Sequence, residues 1–458
     1  MTDAIEELAA NVAERRFEDL PDAAVDGARR AVLDALATTI AGSTAPGIAE
    51  IVATLEETGG PGGCGVAFFD QRLRAHDAVV ANVAMCHALE IDDSHYPAIV
   101  HPTAPTLWAG LATAEALGGA SGRDLVLAVA LGTDLMARLG LAAPRTLFLG
   151  HHTAIYSGFG AAATAGKLRG LGQAALRDAF GLTFSQAAAT VQAATDGALA
   201  KRLQPAFNAA AGLRSVAYAQ RGVTGVARVL EGRYGVFRLF NHDDGDRVAL
   251  LDGLGRRFLG AELTTKRYPS SRCTHGAIEG TIALRARHGL APADVARVEV
   301  TVSRGCCEIA GAPFTVARAA SQTAAQFSIP YTVAAALKWG DVFIDQIQPG
   351  AIADPEALDL AGRVAVLPAD GPADAFTPVS IRILTRAGVA HEATVSVLKG
   401  SPELPLSWDE LVAERVERCL PYARRPLAPA AVRRLLADAA RLDALPDVRV
   451  LVDLLRPA

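Results

Sequence analysis

Aromatic and charged residues are both scarce in this chain of 458 residues. Aromatic side chains make up 5% of the sequence and charged ones 20%, whereas 51% of the residues are hydrophobic. A disordered chain needs the opposite balance, so this composition excludes one. Lysine and arginine number 44 against 49 aspartates and glutamates, a net charge of −5. This acidic balance argues against a general surface for nucleic acid or for an anionic membrane.

Cysteine is also rare, and its spacing carries no metal signature. The six cysteines include no CxxC pair and no spacing typical of zinc or iron–sulfur ligation. Buried, reduced thiols are therefore expected. The first residues lack a basic segment followed by an apolar one, so no secretory signal is expected and a cytoplasmic protein is predicted.

Two long runs carry no formal charge, at residues 146–166 and 179–195. The first is long enough to cross a bilayer, but it contains His151 and His152 together with several glycines and polar residues. Both runs are interpreted as buried helices of a soluble protein, and no membrane partner is expected.

Apolar residues recur at helical spacing through most of the first 260 positions. Val25, Val32, Leu36 and Ile40 begin this pattern, which is repeated in later segments at 104–117, 123–139, 158–168, 174–195 and 206–221. After residue 262 the period changes to two, as in Val298 to Val302.

A second alternating segment at 379–383 leads through Ala387-Gly388 into 391–397, which predicts a hairpin. Helices are predicted at 273–288 and 332–338, and Ser407 with Glu410 has the spacing of a capping box. The predicted fold is mainly α. A large all-helical domain formed by both ends of the chain, 1–262 and 398–458, is interrupted by a smaller α+β domain at 263–397.

Ionisable residues are concentrated between positions 87 and 101. His87, His95 and His101 lie near Glu90 and near two aspartates, Asp92 and Asp93. Prolines at 97 and 102 indicate a loop, in which these side chains can converge on a cleft. Because such a density of charge is costly to bury, the residues alone favour a catalytic acid–base cluster, a metal site or a polar capping network. The spacing of these histidines and acidic residues matches no standard motif of metal ligands.

Two pairs of basic residues stand at element junctions, Lys201-Arg202 and Lys266-Arg267. Paired cations suit the capture of carboxylates or phosphates, although a solvated basic turn is an equal alternative for each pair. The GxGxxA pattern at 158–163 lies in a helical region without a βαβ unit, and the glycine-rich segment at 59–65 is interpreted as a turn.

Five motifs in order carry a resemblance to a known family. They are LEIDDS at 89–94, GHHT at 150–153, KRL at 201–203, KRYP at 266–269 followed by TH at 274–275, and FSIPY at 327–331. In this series the chain resembles the MmgE/PrpD family, which includes 2-methylcitrate dehydratase, cis-aconitate decarboxylase and iminodisuccinate epimerase. The resemblance runs nearly end to end and implies a large helical domain with a smaller α+β lid, in a homodimer.

The resemblance also implies an active site between the helical domain and the lid. The residues implied as catalytic are His101, His152, Tyr331 and Asp93. Those implied in substrate binding are Glu90, Asp92, Ser94, Lys201, Lys266, Arg267, Ser271 and His275. The histidines would handle protons, the lysines would grip substrate carboxylates, and neither cofactor nor metal is expected.

The function expected from the resemblance is a cofactor-independent dehydratase of a hydroxy-polycarboxylate similar to 2-methylcitrate. The alternatives are an epimerase of a dicarboxylate such as iminodisuccinate, a decarboxylase similar to cis-aconitate decarboxylase, and a carboxylate-binding protein without activity. Two departures weaken the decarboxylase alternative, because Gln204 and Ser271 stand where the family often has histidine. His275 is expected either to compensate in part or only to cap the helix that it begins. The expected ligand is a small di- or tricarboxylate.

Overall fold

Helices make up most of the chain in the computed structural model, which describes residues 2–372 and 375–456. Residues 1, 457 and 458, which end the predicted helical domain, lie outside the described residues. The helices before residue 262 are α1 (Ile5–Glu14), α2 (Asp22–Gly42), α3 (Ile48–Gly59), α4 (Ala75–His87), α5 (Thr103–Leu117), α6 (Gly122–Ala142), α7 (Ser157–Leu168), α8 (Gln173–Phe184), α9 (Gln192–Thr195), α10 (Ala200–Ala219), α11 (Val236–Asn241) and α12 (Arg247–Leu251).

Central helices of this region are buried on nearly all sides. Helices α4, α5, α7 and α10 pack against one another, and α6 packs on α7. In the described part of the chain, α6 is the one helix long and apolar enough to cross a membrane, and 94% of its most apolar stretch is buried inside the protein. Such burial on all sides is typical of a core helix.

The region is not entirely helical, which corrects two predictions. The glycine-rich segment expected to be a turn forms strand β1 (Pro61–Gly65), which pairs antiparallel with β2 (Arg72–Leu73). The predicted helix over 174–195 ends at Phe184 and resumes only in the short α9. The intervening backbone is instead held by the side chains of Gln204 and Asn208, so contacts with α10 override the local helical pattern.

The middle of the chain forms a four-stranded sheet with helices on it. Its strands are β3 (Val295–Val302), β4 (Val364–Pro368), β5 (Val379–Thr385) and β6 (Ala390–Val395), in the order β4-β3-β5-β6. The predicted hairpin between β5 and β6 is confirmed, whereas β4, parallel to β3, was not predicted. The helices are α13 (Arg272–His288), α14 (Arg304–Ala310), α15 (Gln322–Gln326), α16 (Ile329–Trp339), α17 (Pro349–Ile352) and α18 (Pro355–Ala361).

Helical structure returns after the sheet. It comprises α19 (Trp408–Leu411), a π-helical turn (Val412–Glu417), α20 (Pro429–Ala440) and α21 (Arg449–Leu454). The predicted capping box is present, since the Glu410 N–H donates to Ser407 Oγ at 3.1 Å and the Ser407 N–H donates to Glu410 Oε2 at 2.7 Å.

Two hydrophobic cores divide the apolar side chains. One combines residues from both ends of the chain, such as Val32 and Leu451, and the other lies within residues 268–383. This division supports an organisation in two domains. The boundaries near 262 and 397 stay a prediction, and so does the movement of the smaller domain as a lid.

The end of α4 lies against the end of α2 at a position that requires glycine. A Cβ atom on Gly42 would lie 1.9 Å from the carbonyl oxygen of Met85. Two residues further along α4 is His87, which belongs to the polar centre of the protein. The close approach of the two helices therefore sets the position of that histidine.

We expect Gly42→Ala to lower the free energy of unfolding by about 2 kcal/mol or more, because α2 and α4 would have to move apart. Gly350→Ala is the control, since a Cβ atom there meets nothing within 4 Å. The control should leave stability unchanged or raise it by up to about 1 kcal/mol. Urea denaturation followed by circular dichroism measures both, and equal midpoints would contradict this account of the contact.

Candidate active site

The segment between α4 and α5 has an unusual backbone. Glu90 and Ile99 have φ values of 60° and 54°, a left-handed region that side chains other than glycine seldom adopt. Strain of this kind is kept where the surroundings hold the chain in place, commonly at functional sites. Here the Glu90 carbonyl oxygen accepts a hydrogen bond from Lys266 Nζ at 3.1 Å.

The side chain of Glu90 joins the two predicted lysines. Lys201, from the first turn of α10, forms a hydrogen-bonded ion pair with Glu90 Oε1, and Lys266 Nζ lies 3.6 Å from Glu90 Oε2. All three residues are at most 7% exposed. Burial opposes ionisation of Glu90, but the two ammonium groups outweigh it and hold its pKa well below the usual range. Glu90 is therefore an ionised carboxylate between two lysines, and Asp92 is the second ionised carboxylate of this region.

His87 connects this triad to Asp92. Its Nδ1 lies 2.8 Å from Asp92 Oδ2, and its Nε2 lies 3.2 Å from Lys201 Nζ. Since Lys201 can only donate, Nε2 is the acceptor, and Nδ1 carries the proton and donates a hydrogen bond to Asp92. Burial lowers the pKa of His87, so this neutral tautomer is favoured.

His101 lies beside His87 with one ring nitrogen engaged. Its Nδ1 is 2.9 Å from the carbonyl oxygen of Asp93 and 3.4 Å from Asp92 Oδ2, and the two imidazole centroids are 5.1 Å apart. A carbonyl oxygen can only accept, so Nδ1 donates, which in the neutral ring leaves the lone pair on Nε2. Nε2 has no hydrogen bond within the described chain, and the side chain is 20% exposed. His101 is thus placed as a base with an open acceptor. His87, Glu90, Asp92, His101, Lys201 and Lys266 are called the acid–base cluster below.

The carboxyl group of Asp93 faces away from the histidines. It accepts hydrogen bonds from the hydroxyl and the N–H of Thr103, the latter at 3.4 Å, at the start of α5. Burial and the nearby carboxyl group of Asp34 raise its pKa well above the usual value. The expectation of a catalytic Asp93 side chain is therefore not supported by its position, because its backbone carbonyl is what contacts His101.

A buried ion pair lies behind Lys266. Arg415, in the π-helical turn, pairs with Asp34 of α2 and also donates to the backbone carbonyl of Lys266. Asp34 and Arg415 are each about 1% exposed. This pair holds the Lys266 backbone against α2, although the sequence offers no local motif that marks it.

Gln326 performs a similar positioning role from α15. Its Nε2 donates to the carbonyl oxygen of Leu89 at 2.9 Å and to that of Pro269 at 3.1 Å. These carbonyls belong to the loops that carry Glu90 and Lys266. One buried amide therefore fixes both loops relative to each other.

His152 lies near the cluster at the start of a 3₁₀ turn (Thr153–Tyr156). Its Nδ1 accepts the N–H of Ala154 at 3.1 Å, so Nε2 carries the proton of the neutral ring. Burial, followed by the positive charge of Lys201, lowers the pKa of His152 well below its usual value. His152 is thus a neutral N–H donor.

Gln204, which departs from the family pattern, has a structural position. Its Oε1 accepts the N–H of Thr190 at 2.6 Å, and its Nε2 donates to the Thr190 carbonyl at 3.0 Å. The adjacent Ala189 carbonyl accepts the N–H of His152 at 3.4 Å. Gln204 therefore supports the backbone next to His152.

Tyr331 is not brought to the cluster, which differs from the expectation that it donates a proton there. Its hydroxyl donates to the carbonyl of Gln346, and its ring packs against Phe314 in the second core, with centroids 4.9 Å apart. No hydrogen bond within the described residues connects it with the six cluster residues. The sequence motif located the helix but not the direction of this side chain.

The remaining predicted residues border the cluster without joining it in the described structure. Arg267 pairs with Glu414 at 3.0 Å instead of facing the lysines. Ser94 hydrogen-bonds through its backbone to Thr264, and Ser271 begins α13 with its N–H on Gln326. His275 is fully buried, with Nε2 3.4 Å from the Ser270 carbonyl, and no hydrogen bond in the described structure connects it with the cluster.

His87 is the functional residue that the sequence analysis noticed but did not select. Its signal was its position three residues before Glu90, at the end of a helix. His87, Asp92 and His101 also offer three ligand atoms within 4.8 Å of one another. A cation there would meet the ammonium group of Lys201 and would displace the proton between His87 and Asp92. We therefore interpret the three as a hydrogen-bond network, and the absence of a metal stays a prediction.

Comparison with known proteins gives matches along most of the chain. Residues 6–248 match the MmgE/PrpD N-terminal domain, and residues 268–420 match the MmgE/PrpD C-terminal domain. The cis-aconitate decarboxylase-like protein oryM of Aspergillus oryzae (strain ATCC 42149 / RIB 40) is 27% identical over 367 residues, 76% of this chain and 76% of that protein. Cis-aconitate decarboxylase of Aspergillus terreus is 29% identical over 284 residues, 59% of this chain and 58% of that protein.

We expect Asp34→Asn to lower the free energy of unfolding by about 3 to 5 kcal/mol, because it leaves the Arg415 guanidinium buried without a counter-charge. Asp70→Asn is the matched control, since Asp70 pairs with Arg425 at 2.9 Å on the exposed surface. The control should unfold like the wild type in urea. A similar loss in both variants, or in neither, would refute the role of the buried pair.

The buried histidines predict a pH dependence of stability. Because the pKa of His87 is below its ordinary value of 6.5 in the folded state, the unfolded chain takes up a proton that the folded chain does not. Stability from this group is present above about pH 6.5 and is lost as the pH falls below it. Asp92 does not contribute in this range, because its pKa lies well below 3.8.

We therefore expect His87→Asn to lose stability less steeply than the wild type as the pH falls from 6.5 to 5. His242→Asn, at an exposed histidine, should keep the wild-type slope. Urea midpoints at several pH values measure this. An unchanged slope in His87→Asn would show that this ring is not held neutral.

Proposed function

The chain belongs to the MmgE/PrpD family, and from that premise we propose that it is a lyase acting on a small di- or tricarboxylate without a redox cofactor or metal. One observation carries the proposal. The buried carboxylate of Glu90 is held by Lys201 and Lys266, while the open Nε2 of His101 lies in the same cluster.

Substrate binding follows from the charge of this arrangement. Two ammonium groups lie on one carboxylate, so an incoming carboxylate group can pair directly with the lysines, and protonation of His101 adds the positive charge that offsets Glu90 and Asp92. The substrate carboxylate either displaces Glu90 from Lys201 and Lys266 or binds to the lysines beside it. A polycarboxylate can place a second carboxylate on one lysine while its reacting carbon faces the histidines.

The hydrogen-bond pattern assigns the histidines different roles. His101 presents a lone pair on Nε2 and accepts a proton from the substrate or, once protonated, returns it. His152 presents an N–H and stabilises negative charge that develops on the substrate. Asp92 and the Asp93 carbonyl hold the His101 ring in the required tautomer.

Decarboxylation is the reaction we place first, and this differs from the first choice of the sequence analysis. The relatives named above are cis-aconitate decarboxylases or similar to one, which supports that alternative better than the dehydratase. In this reaction the bond from carbon to a carboxylate breaks, carbon dioxide leaves, and the electron pair remains on carbon. The lysines stabilise that charge. His101, protonated at Nε2 by solvent water before the reaction, gives this proton to the carbon that carries the electron pair and so completes the product.

Dehydration of a hydroxy-polycarboxylate is the second candidate, and one position favours it. Ser271 replaces the histidine that the resemblance places in the decarboxylase, and His275 makes no hydrogen bond to the cluster in the described structure. In this reaction His101 removes a proton, and a hydroxyl group leaves with a proton from an acid. Homodimerisation, lid movement and a cytoplasmic location stay predictions that go with the family.

The test is incubation of the purified protein with cis-aconitate, 2-methylcitrate and iminodisuccinate in separate NMR assays, with and without EDTA. We expect loss of carbon dioxide from cis-aconitate, unaffected by EDTA. Water loss from 2-methylcitrate alone would favour the second candidate. Epimerisation alone would contradict the assignment as a lyase, and no turnover of any of them would contradict the proposed substrates.

Lys201→Met tests the site itself. We expect kcat/KM to fall by at least about 100-fold, because one of two charges facing the developing carbanion is lost. Lys399→Met is the control, since Lys399 pairs with Glu410 near the surface and should keep wild-type activity. Wild-type turnover in Lys201→Met would refute the site.

A further inference from the structure

A cavity of about 360 Å³ lies beside the loop that carries the acid–base cluster. It is formed where residues 95–97 of that loop meet the start of α13 and the segment 396–403. None of the six cluster residues lines it. Its volume is sufficient for a small organic ligand.

His95 presents a buried hydrogen-bond donor at this cavity. The N–H of Ala98 donates to His95 Nδ1 at 3.3 Å, so Nδ1 is the acceptor and Nε2 carries the proton. The residue is 2% exposed, and Nε2 has no partner in the described chain. Burial lowers the pKa of His95 to about 4, which keeps this N–H in place at neutral pH without a charge.

Arg272 and Tyr96 add further donors at the same cavity. Arg272 is 7% exposed, and its Nε and Nη1 have no hydrogen-bond partner among the described residues. Its guanidinium lies over the ring of Tyr96, 4.3 Å from the centroid, and the buried Tyr96 hydroxyl is also unpartnered. Buried donors without acceptors are costly. A ligand that brings acceptor oxygens would remove that cost.

The carboxylates that line the cavity do not fill this role. Glu262 is bound by Arg257, with Nε to Oε1 at 2.7 Å and Nη2 to Oε2 at 2.8 Å. Glu403 is exposed, and both it and Glu279 feel the positive charge of Arg272, but neither forms an ion pair or hydrogen bond with Arg272 in the described structure. The rest of the wall is largely apolar, with Pro97, Phe376, Val397 and Leu398.

We propose that this cavity is a second ligand site. It binds a small carboxylate that carries an apolar group, through Arg272, His95 and Tyr96. The carboxylate lies against the guanidinium and accepts from the imidazole N–H and the phenol. The apolar body packs on Phe376 and Leu398. The site is independent of the reaction proposed for the cluster.

The proposed site and the cluster share one loop. His95 and Tyr96 lie in the segment between Asp92 and His101, and the Ser94 N–H is tied to Thr264, which lines the cavity.

Calorimetric titration with benzoate, and separately with inorganic phosphate, tests the proposal on the full chain. We expect benzoate to bind the wild type and Lys201→Met with similar Kd. Arg272→Gln should weaken binding by about tenfold or more, since it removes a charged hydrogen-bond donor. Tyr96→Phe keeps the ring and should weaken binding by a few-fold. Phosphate binding equal to that of benzoate would contradict the requirement for an apolar body.

Thermal melts without ligand show whether each variant is folded. If Arg272→Gln does not fold, the benzoate affinity of Tyr96→Phe decides the test. Unchanged benzoate affinity in folded variants would overturn the proposal, as would no binding by the wild type at millimolar benzoate. Loss of benzoate binding in Lys201→Met would also overturn it, because the ligand would then occupy the cluster. None of these results depends on whether the chain turns over cis-aconitate.

Discussion

The carboxylate of Glu90 between Lys201 and Lys266 is the interaction on which the rest of the structure depends. Two buried ammonium groups would be too costly without it, since each loses its hydration on burial. The lysines come from α10 and from the loop before α13, while Glu90 comes from the loop after α4. One carboxylate therefore joins three distant segments and holds two ammonium groups between them.

Other buried polar groups keep these segments in position. Arg415 holds the backbone of Lys266 against Asp34 of α2, and Gln326 spans the loops of Glu90 and Lys266. The left-handed conformation of Glu90 turns its carbonyl toward Lys266. These contacts fix the lysines before any ligand arrives, as a preorganised electrostatic site requires.

Much of the site could be predicted from the sequence, because charged residues are rare enough that those in a helical core are conspicuous. Glu90 and the two lysines were found in this way, and alternation of apolar residues predicted β3, β5 and β6. Tyr331 could not be placed, since a motif gives a helix but not the direction of each side chain. Arg415 was missed because its partner Asp34 is far away in sequence, and a local pattern carries no such information.

A crystal structure with propane-1,2,3-tricarboxylate tests the central claim most directly, since this compound has neither the double bond nor the hydroxyl group of the proposed substrates. The account predicts carboxylate oxygens within about 3.2 Å of Lys201 Nζ and Lys266 Nζ, with a backbone carbon of the ligand facing His101 Nε2. A tricarboxylate bound only elsewhere, with both lysines still held by Glu90 alone, would contradict it.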